Sequence, residues 1–524
     1  MNKKLNIIFT SAFCAALVIP VISLNYGKLT SDTENRTLAA FPSALDEDRK
    51  FNKGFFYDLA DWFEDHLGFR DDMMKVYSNI MVNGFGLSSS ERVVFGKDGW
   101  MFYTPDHNLE LVKGGYPLDD KMLETIAHNQ QRINDYYKSM GKEYFLVITP
   151  SKATVYPEYI ADGDYTVGTT SADILTDYIK ANTDVKVINV KDGLIPAKEA
   201  GQLYLKTDTH WNQLGSYNAY SYILSQMKEY GCDYGEPVSV TFGQGEYQGE
   251  FSAMLGSPDV LKPEKTPVAE WEKSSEEVAE GSVYAAMNSV VSSTSEMNAK
   301  AYPPAYFVNG SLPESRKLYI YGDSQWAAHR NMPTYLCENF SEVMSTRIRS
   351  VNYAVDSAYD PDVVIFGCSE RFIDSVLTLS PKIPAESYTD SGEYDGFATL
   401  PTQTSDEWIG SNGMWIEDQA EGNTISLSKA KSYMDMLQIS GWAADFESDT
   451  PLTDLIAEVN GKKYRCSYGF EKKGVADKFG DGLLRTGFTL WIPDGISAGD
   501  KITFTMVNSG TQAVYEPVTY EFTE

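Results

Sequence analysis

The chain has 524 residues, 42% of them hydrophobic and 13% aromatic, and a formal net charge of −30. Length and apolar content describe a globular protein of roughly two to four domains and exclude a disordered or fibrous one. The charge excludes nucleic acid as a partner, because phosphate binding needs clustered Lys and Arg; it does not point to a substrate, since acidic surfaces also serve solubility.

At the N-terminus, Lys3 and Lys4 precede an apolar run from Ile7 to Leu24 that is interrupted at Pro20. The stretch Ile22-Ser23-Leu24-Asn25-Tyr26 offers no small-x-small cleavage site. Residues 1–25 are therefore expected to be an uncleaved signal anchor rather than a cleaved signal peptide. Positive residues on the short side place that end in the cytoplasm and the remainder outside, attached to the cytoplasmic membrane, or secreted if the segment is cleaved. Cys14 lies inside the run and not at a lipidation site. Cys232, Cys337, Cys368 and Cys466 show no C-x-x-C spacing, so they are expected as free buried thiols without a bound metal.

Residues 26–90 read as an extracytoplasmic approach segment, with a helical pattern through Phe55, Leu59, Trp62, Phe63 and Leu67. Val93-Val94-Phe95-Gly96 and Trp100-Met101-Phe102 flank Asp98-Gly99, the signature of a hairpin turn. The chain then alternates. Asp119–Met140 is helical, Phe145–Ile148 is a continuous apolar strand, Ala172–Ile179 is helical, Val185–Val190 is strand-like and Leu214–Tyr230 is helical. Leu318–Tyr321 and Val363–Phe366 are further buried strands. Continuous apolar strands alternating with helices predict a parallel sheet with helices on both faces, over residues 91–385. Residues 258–315 are rich in Ser, Glu, Ala and Pro and are expected to be a long surface excursion, either a lid or a linker.

A Ser/Thr/Asp/Gly/Pro-rich stretch, 386–408, marks a linker. Beyond it, residues 409–524 carry short strand-like runs such as Leu437–Trp442, Leu455–Val459 before Asn460-Gly461, Thr486–Ile492 and Lys501–Val507. These predict a β-sandwich. Its aromatics Trp442, Tyr468, Phe470 and Trp491 either stack on sugar rings or fill the sandwich core, and core filling is the commoner use of such residues.

Asp208-Thr209-His210-Trp211 carries one of only five histidines in the chain. An Asp two residues before a His lies on the same side of an extended backbone. From there its carboxylate can fix the imidazole tautomer and stabilise the imidazolium. Gly322-Asp323-Ser324 follows a strand, so the Ser324 hydroxyl should emerge at a strand's carboxyl end, where open α/β sheets bind ligands. Trp326–Phe340 has helical character at least until Pro333. The N-terminus of such a helix would supply N–H groups for an oxyanion. Together these residues predict an acyl-transfer triad, with Ser324 as nucleophile, His210 as base and Asp208 as orienting carboxylate. Trp211, Gly322, Gln325 and Arg371 are expected to contact substrate. Lys152 follows a strand and either faces the site or, as is commoner, is solvated; Glu370-Arg371 is either a salt bridge that supports the site or a surface pair of little energetic worth. No second His with ligand spacing accompanies His210, so neither a metal nor another cofactor is expected.

Several short segments in this order resemble the DHHW proteins and the alginate O-acetyltransferases of the AlgJ and AlgX type. They are Glu34-Asn35-Arg36, Asp65-His66-Leu67-Gly68-Phe69-Arg70-Asp71 and Gly96-Lys97-Asp98-Gly99-Trp100-Met101-Phe102. Thr149-Pro150-Ser151-Lys152 with Tyr156-Pro157, Thr207–Trp211, Tyr321–Ser324, Pro361–Ile365 and Glu370-Arg371 complete the set, over roughly residues 30 to 375. Thr209 stands where the family name implies a His, and Gln325 stands where an aromatic residue is expected. The resemblance implies an SGNH-hydrolase-like catalytic domain that acetylates an extracytoplasmic polysaccharide. It also implies acetyl delivery by a membrane-bound O-acyltransferase partner. An esterase or deacetylase of acetylated glycan would use the same triad, and a non-catalytic glycan-binding assembly protein would retain the fold.

Overall fold

The computed structural model describes residues 3–522 apart from 28, 32–35, 46–49, 113, 115–117, 162–167, 295, 313–315, 327–330, 405–422, 434–435, 447, 449 and 494–495. Glu34 and Asn35, the end of the expected linker and part of the expected helix after Trp326 fall outside the described residues.

The apolar N-terminal run forms a helix, Lys3–Ile22, with Pro20 inside it. The expected membrane anchor has no support here: among the described residues, no helix is long and apolar enough to cross a membrane. The Phe55–His66 helix forms as its periodicity predicts and buries Trp62 and His66. Asp98 and Gly99 both take left-handed backbone, with φ of 54° and 77°. That conformation lets Val93–Phe95 fold back on Met101–Tyr103.

The central sheet has seven strands, numbered here in chain order: β1 (Glu143–Thr149), β2 (Lys186–Asn189), β3 (Glu276–Glu277), β4 (Ala305–Val308), β5 (Lys317–Tyr321), β6 (Glu342–Thr346) and β7 (Val363–Ser369). Their spatial order is β2-β1-β7-β5-β6-β4-β3. The five strands from β2 to β6 are parallel, and β4 and β3 join antiparallel at one edge. β7 is buried at every position and β1 at all but its first. Side chains of both faces are therefore enclosed, and two apolar clusters form, one on each side. Ile126, Ile133, Leu175 and Ile179 pack with Leu146, Ile148 and Val364 on one side. Ile223, Leu224 and Met227 pack with Phe145, Val147 and Ile365 on the other. This is the SGNH-hydrolase-like arrangement of a mainly parallel sheet between helices.

Residues 258–315 are not a surface excursion. They supply the edge strands β3 and β4 and a helix, Ser282–Ser293. That helix buries Met287, Val290 and Val291 in the core, with Val283 packed against it. Positions 283, 287, 290 and 291 have helical spacing, which the surrounding Ser and Ala residues obscure.

The C-terminal region consists of two sheets, one of seven strands and one of five. Their facing residues, such as Leu455, Phe504, Leu490 and Ile439, share one core. Residues 386–404 are built into these sheets: Glu386–Ser387 pairs with Lys462–Arg465, Ala398–Leu400 with Ala513–Tyr515, and Gln403–Thr404 with Thr424-Ile425. Trp442 and Trp491 are 4% and 3% exposed. The Tyr468 hydroxyl donates to the Ala443 carbonyl and accepts from the Leu452 N–H. Trp442 and Trp491 are thus enclosed and present no ring face to a sugar, whereas Tyr468 is partly buried, packs against the core and lines a cavity. Cys337, Cys368 and Cys466 are buried free thiols, Cys232 is partly buried and Cys14 is exposed.

Candidate active site

Strand ends and one loop build the site. β5 ends at Tyr321 and leads directly into Gly322-Asp323-Ser324, so the hydroxyl emerges at a carboxyl end as expected. Ser324–Trp326 forms a single 3₁₀ turn, and the next described helix is the short Met332–Leu336. The expected long helix after the nucleophile is absent from the described residues, so the oxyanion donors predicted from its N-terminus are not found there. The turn is fixed by its own contacts. Asp323 accepts the Gln325 N–H at 2.9 Å and, from the end of β7, the Ser369 N–H at 2.8 Å. Trp326 is fully buried. A Cβ on Gly322 would lie 2.8 Å from the Trp326 Cβ, and a Cβ on Gly367 would lie 2.1 Å from its indole Cε2. Gly322 thus serves close packing of the turn.

The second component is the loop from Leu205 to His210, pinched between Leu203 and Asn212 by an N–H to carbonyl bond of 2.8 Å. Asn212 caps the following helix, Gln213–Glu229, through the Gly215 N–H. The loop is a turn rather than the extended backbone expected. Asp208 reaches across that turn: its Oδ1 accepts the main-chain N–H of His210 at 3.0 Å and pairs with His210 Nδ1 at 2.6 Å. A carboxylate only accepts, so Nδ1 carries the proton and Nε2 is the acceptor. His210 Nε2 lies 2.8 Å from Ser324 Oγ. Asp208 is fully buried and His210 is 5% exposed. The three predicted residues are thus connected in one hydrogen-bonded line, drawn from positions 114 residues apart.

The four residues expected to touch substrate fare differently. Trp211 is fully buried, its ring edge-on to Tyr204, so it cannot line a substrate pocket. Its side chain points away from the site because its neighbour His210 points into it. Gly322 is occupied by the packing described above. Gln325 and Arg371 do line one cavity, together with Tyr103, Ser151, Thr209 and Ser369. The Arg371 guanidinium lies over the Tyr103 ring at 5.2 Å, and its buried Nε has no hydrogen-bond partner among the described residues. Glu370 is not its salt-bridge partner. That carboxylate is buried beneath the site and accepts from the Ser151 N–H and the Thr154 hydroxyl. Burial pushes its pKa above the ordinary glutamate value.

Charged residues missed from the sequence hold the loop. Glu264 accepts the N–H groups of Lys206 and Thr207, both at 2.8 Å, and the Thr207 hydroxyl at 2.6 Å. Glu250 accepts the Thr209 N–H at 3.1 Å and the Thr209 hydroxyl. Its own N–H donates to Asp208 Oδ2 at 3.2 Å. Thr209, where the family name implies a His, is therefore a bridge to Glu250. Lys152 is not solvated: it is 3% exposed, with its Nζ beneath the loop. Nothing in the residue types of Glu250, Glu264 or Lys152 separates them from surface charges, and they lie 40 to 60 positions from the residues they hold. Asp208, His210 and Glu250 bring ligand-type atoms within 4.8 Å of one another. Those atoms already bond within the loop and to each other, an arrangement suited to orienting an imidazole.

A mainly parallel sheet with Ser, His and Asp converging at its strand ends defines the class of SGNH-hydrolase-like proteins. Within that class, residues 93–291 match the family model described as the SGNH hydrolase-like domain of acetyltransferase AlgX. The chain is 30% identical over 194 residues to a protein named probable alginate O-acetylase AlgJ from Pseudomonas syringae pv. tomato, covering 34% of this chain and 47% of that one. It spans about half the length of the curated relatives it matches. Among solved structures it is similar to the O-acetyltransferase domain of Pseudomonas putida AlgJ, with TM-score 0.37 and 16% identity over 54% of this chain and 92% of that one. It is also similar to a DHHW family protein from Eubacterium siraeum, with TM-score 0.36 and 15% identity over 49% and 90%. The chain thus resembles the AlgJ and AlgX proteins.

Proposed function

We propose that the protein is an O-acetyltransferase that places acetyl groups on an exported or cell-surface polysaccharide, with Ser324, His210 and Asp208 as its catalytic residues. The observation that carries this reading is the continuous line from Asp208 through His210 to Ser324, at 2.6 and 2.8 Å. In the first half-reaction, Ser324 Oγ attacks the acetyl carbonyl while His210 Nε2 takes the hydroxyl proton. The C–O bond to the donor breaks, His210 returns the proton to the leaving oxygen, and acetyl-serine remains. In the second, a sugar hydroxyl loses its proton to His210 and attacks the acetyl-serine. Ser324 leaves as an alkoxide and is reprotonated by His210. Asp208 holds the tautomer and stabilises the imidazolium in both halves.

The names of the matched relatives support acetyl transfer as the reaction class. An acceptor outside the cytoplasm agrees with the basic and apolar N-terminal sequence. On this reading a membrane-bound O-acyltransferase supplies the acetyl group, and the Gln325–Arg371 cavity beside the nucleophile takes part of a substrate.

The test is incubation of the protein with an activated acetyl ester, with and without candidate glycans, beside Ser324→Ala. Acetylation of glycan that disappears in Ser324→Ala is the expected result. Acetate release that is indifferent to acceptor would assign an esterase instead. Undiminished turnover in Ser324→Ala would overturn both.

A further inference from the structure

The Lys152 side chain ends in a site made of three main-chain carbonyls. Its Nζ donates to Leu205 and Lys206 at 3.0 Å each and to Asp208 at 2.6 Å. An ammonium has three N–H groups and no acceptor, so it matches three carbonyls one to one. A neutral amine has only two N–H groups, and its lone pair would be left facing a carbonyl oxygen. The geometry therefore selects the charged form. The rings of Phe251 and Phe102, centred 4.7 and 5.5 Å away, enclose it.

We propose that Lys152 is a positioning residue that acts as a proton-dependent latch: its ammonium holds the main chain of Asp208 so that His210 reaches Ser324, and loss of that proton to solvent releases the loop. This rests on the assignment of Ser324, His210 and Asp208 as catalytic.

The surroundings set the latch near neutrality. Burial pushes the lysine down from its ordinary 10.5 to about 7, and the nearby carboxylates Asp208, Glu264 and Glu250 oppose that fall. His210 and Lys206 are the remaining ionisable groups of the loop, and Arg371 lines the same cavity as Lys152. Glu264 and Glu250 do not replace the ammonium if its proton leaves, since they accept from N–H groups of the loop and a carboxylate has no N–H to offer the freed carbonyls. A merely structural lysine would lower stability when removed. A latch also shapes the rate against pH.

The experiment follows turnover of an activated acetyl ester by the full chain from about pH 5.5 to about pH 9.5, with the uncatalysed rate subtracted. Wild type is expected to lose kcat as pH rises above about 7. Lys152→Met should lose about tenfold or more in kcat, with KM within about twofold, and show no alkaline fall. Lys152→Arg, which stays charged throughout, should exceed Lys152→Met and also show no alkaline fall. A wild-type kcat that stays level to about pH 9, or a Lys152→Met protein with wild-type kcat and profile, would overturn the latch. If Lys152→Met does not fold, the wild-type profile and Lys152→Arg decide. Ser324→Ala separates the two levels of inference: activity surviving there removes the catalytic assignment itself, whereas an inactive Ser324→Ala beside wild-type-like Lys152 variants removes the latch alone.

Discussion

The turn that presents Ser324 and the loop that presents His210 meet at 2.8 Å, yet they are held by different forces. Around Ser324, beyond the two N–H groups held by Asp323, the constraint is steric: Trp326 fills the space that a side chain at Gly322 or Gly367 would need. Around His210 the constraint is electrostatic, with Glu264, Glu250 and Lys152 bonded to main-chain groups of the loop. A steric frame tolerates changes of pH but not an added methyl group. A charged frame tolerates small changes of volume but not loss of a charge, because its partners are then left buried and unsatisfied.

The largest expected effect comes from removing the charge that both frames serve. Asp208→Asn should lower kcat by about four decades in a folded protein, through the wrong imidazole tautomer. Turnover within tenfold of wild type in that variant would show that the charged frame does not govern His210. Next, Gly367→Ala forces a methyl group into the Trp326 indole and should destabilise the fold by about 1–3 kcal/mol or more. Denaturant unfolding reads this directly, and Trp326→Leu in the same chain should restore part of the loss. An unchanged midpoint for Gly367→Ala would break the steric half of the contrast. Glu264→Gln keeps the shape but removes the charge from the bonds to Lys206 and Thr207. It should reduce kcat about tenfold with KM nearly unchanged, in steady-state assays.

The last effect is on stability alone and concerns a buried carboxylate outside the site. Asp356 accepts the Tyr136 hydroxyl at 2.8 Å, and burial raises its pKa from 3.8 to about 6. The folded chain therefore binds that proton more tightly than the unfolded chain between those values, and the stability this provides is lost as pH rises through 6. Asp356→Asn should be more stable than wild type by about 1–3 kcal/mol at pH 7 and should lose that advantage below about pH 4. If both proteins instead unfold alike at both pH values, buried charge carries no cost at this helix, and the charged loop loses its contrast.

Much of this arrangement is legible in the sequence because it is local. Phe145–Ile148 and Val363–Phe366 are continuous apolar runs, as strands buried on both faces must be. Asp98-Gly99 marks a hairpin, since both residues must take left-handed backbone. Asp208 and His210 stand two apart, and the Gly-Asp-Ser run follows a strand. What the sequence does not display is what holds these pieces. Glu264 and Lys152 acquire their roles only when the chain brings them against Leu205–His210. Trp211 departs from its expected place for a local reason: two adjacent residues point to opposite sides, and only His210 faces the site. The Ser282–Ser293 helix is hidden in the sequence because its apolar positions are few and separated by Ser and Ala.

The strand order carries a consequence in time. β7 is the last strand of the sheet to be synthesised, yet it lies between β1 and β5. Until Val363–Ser369 emerges, the strand leading to Ser324 and the strand leading to Lys152 share no common neighbour, and their edges stay open. Ser324 and His210 are both made earlier, but the sheet that sets their separation closes only when β7 slots in. The topology thus brings Ser324 and His210 to their final separation only with completion of the sheet.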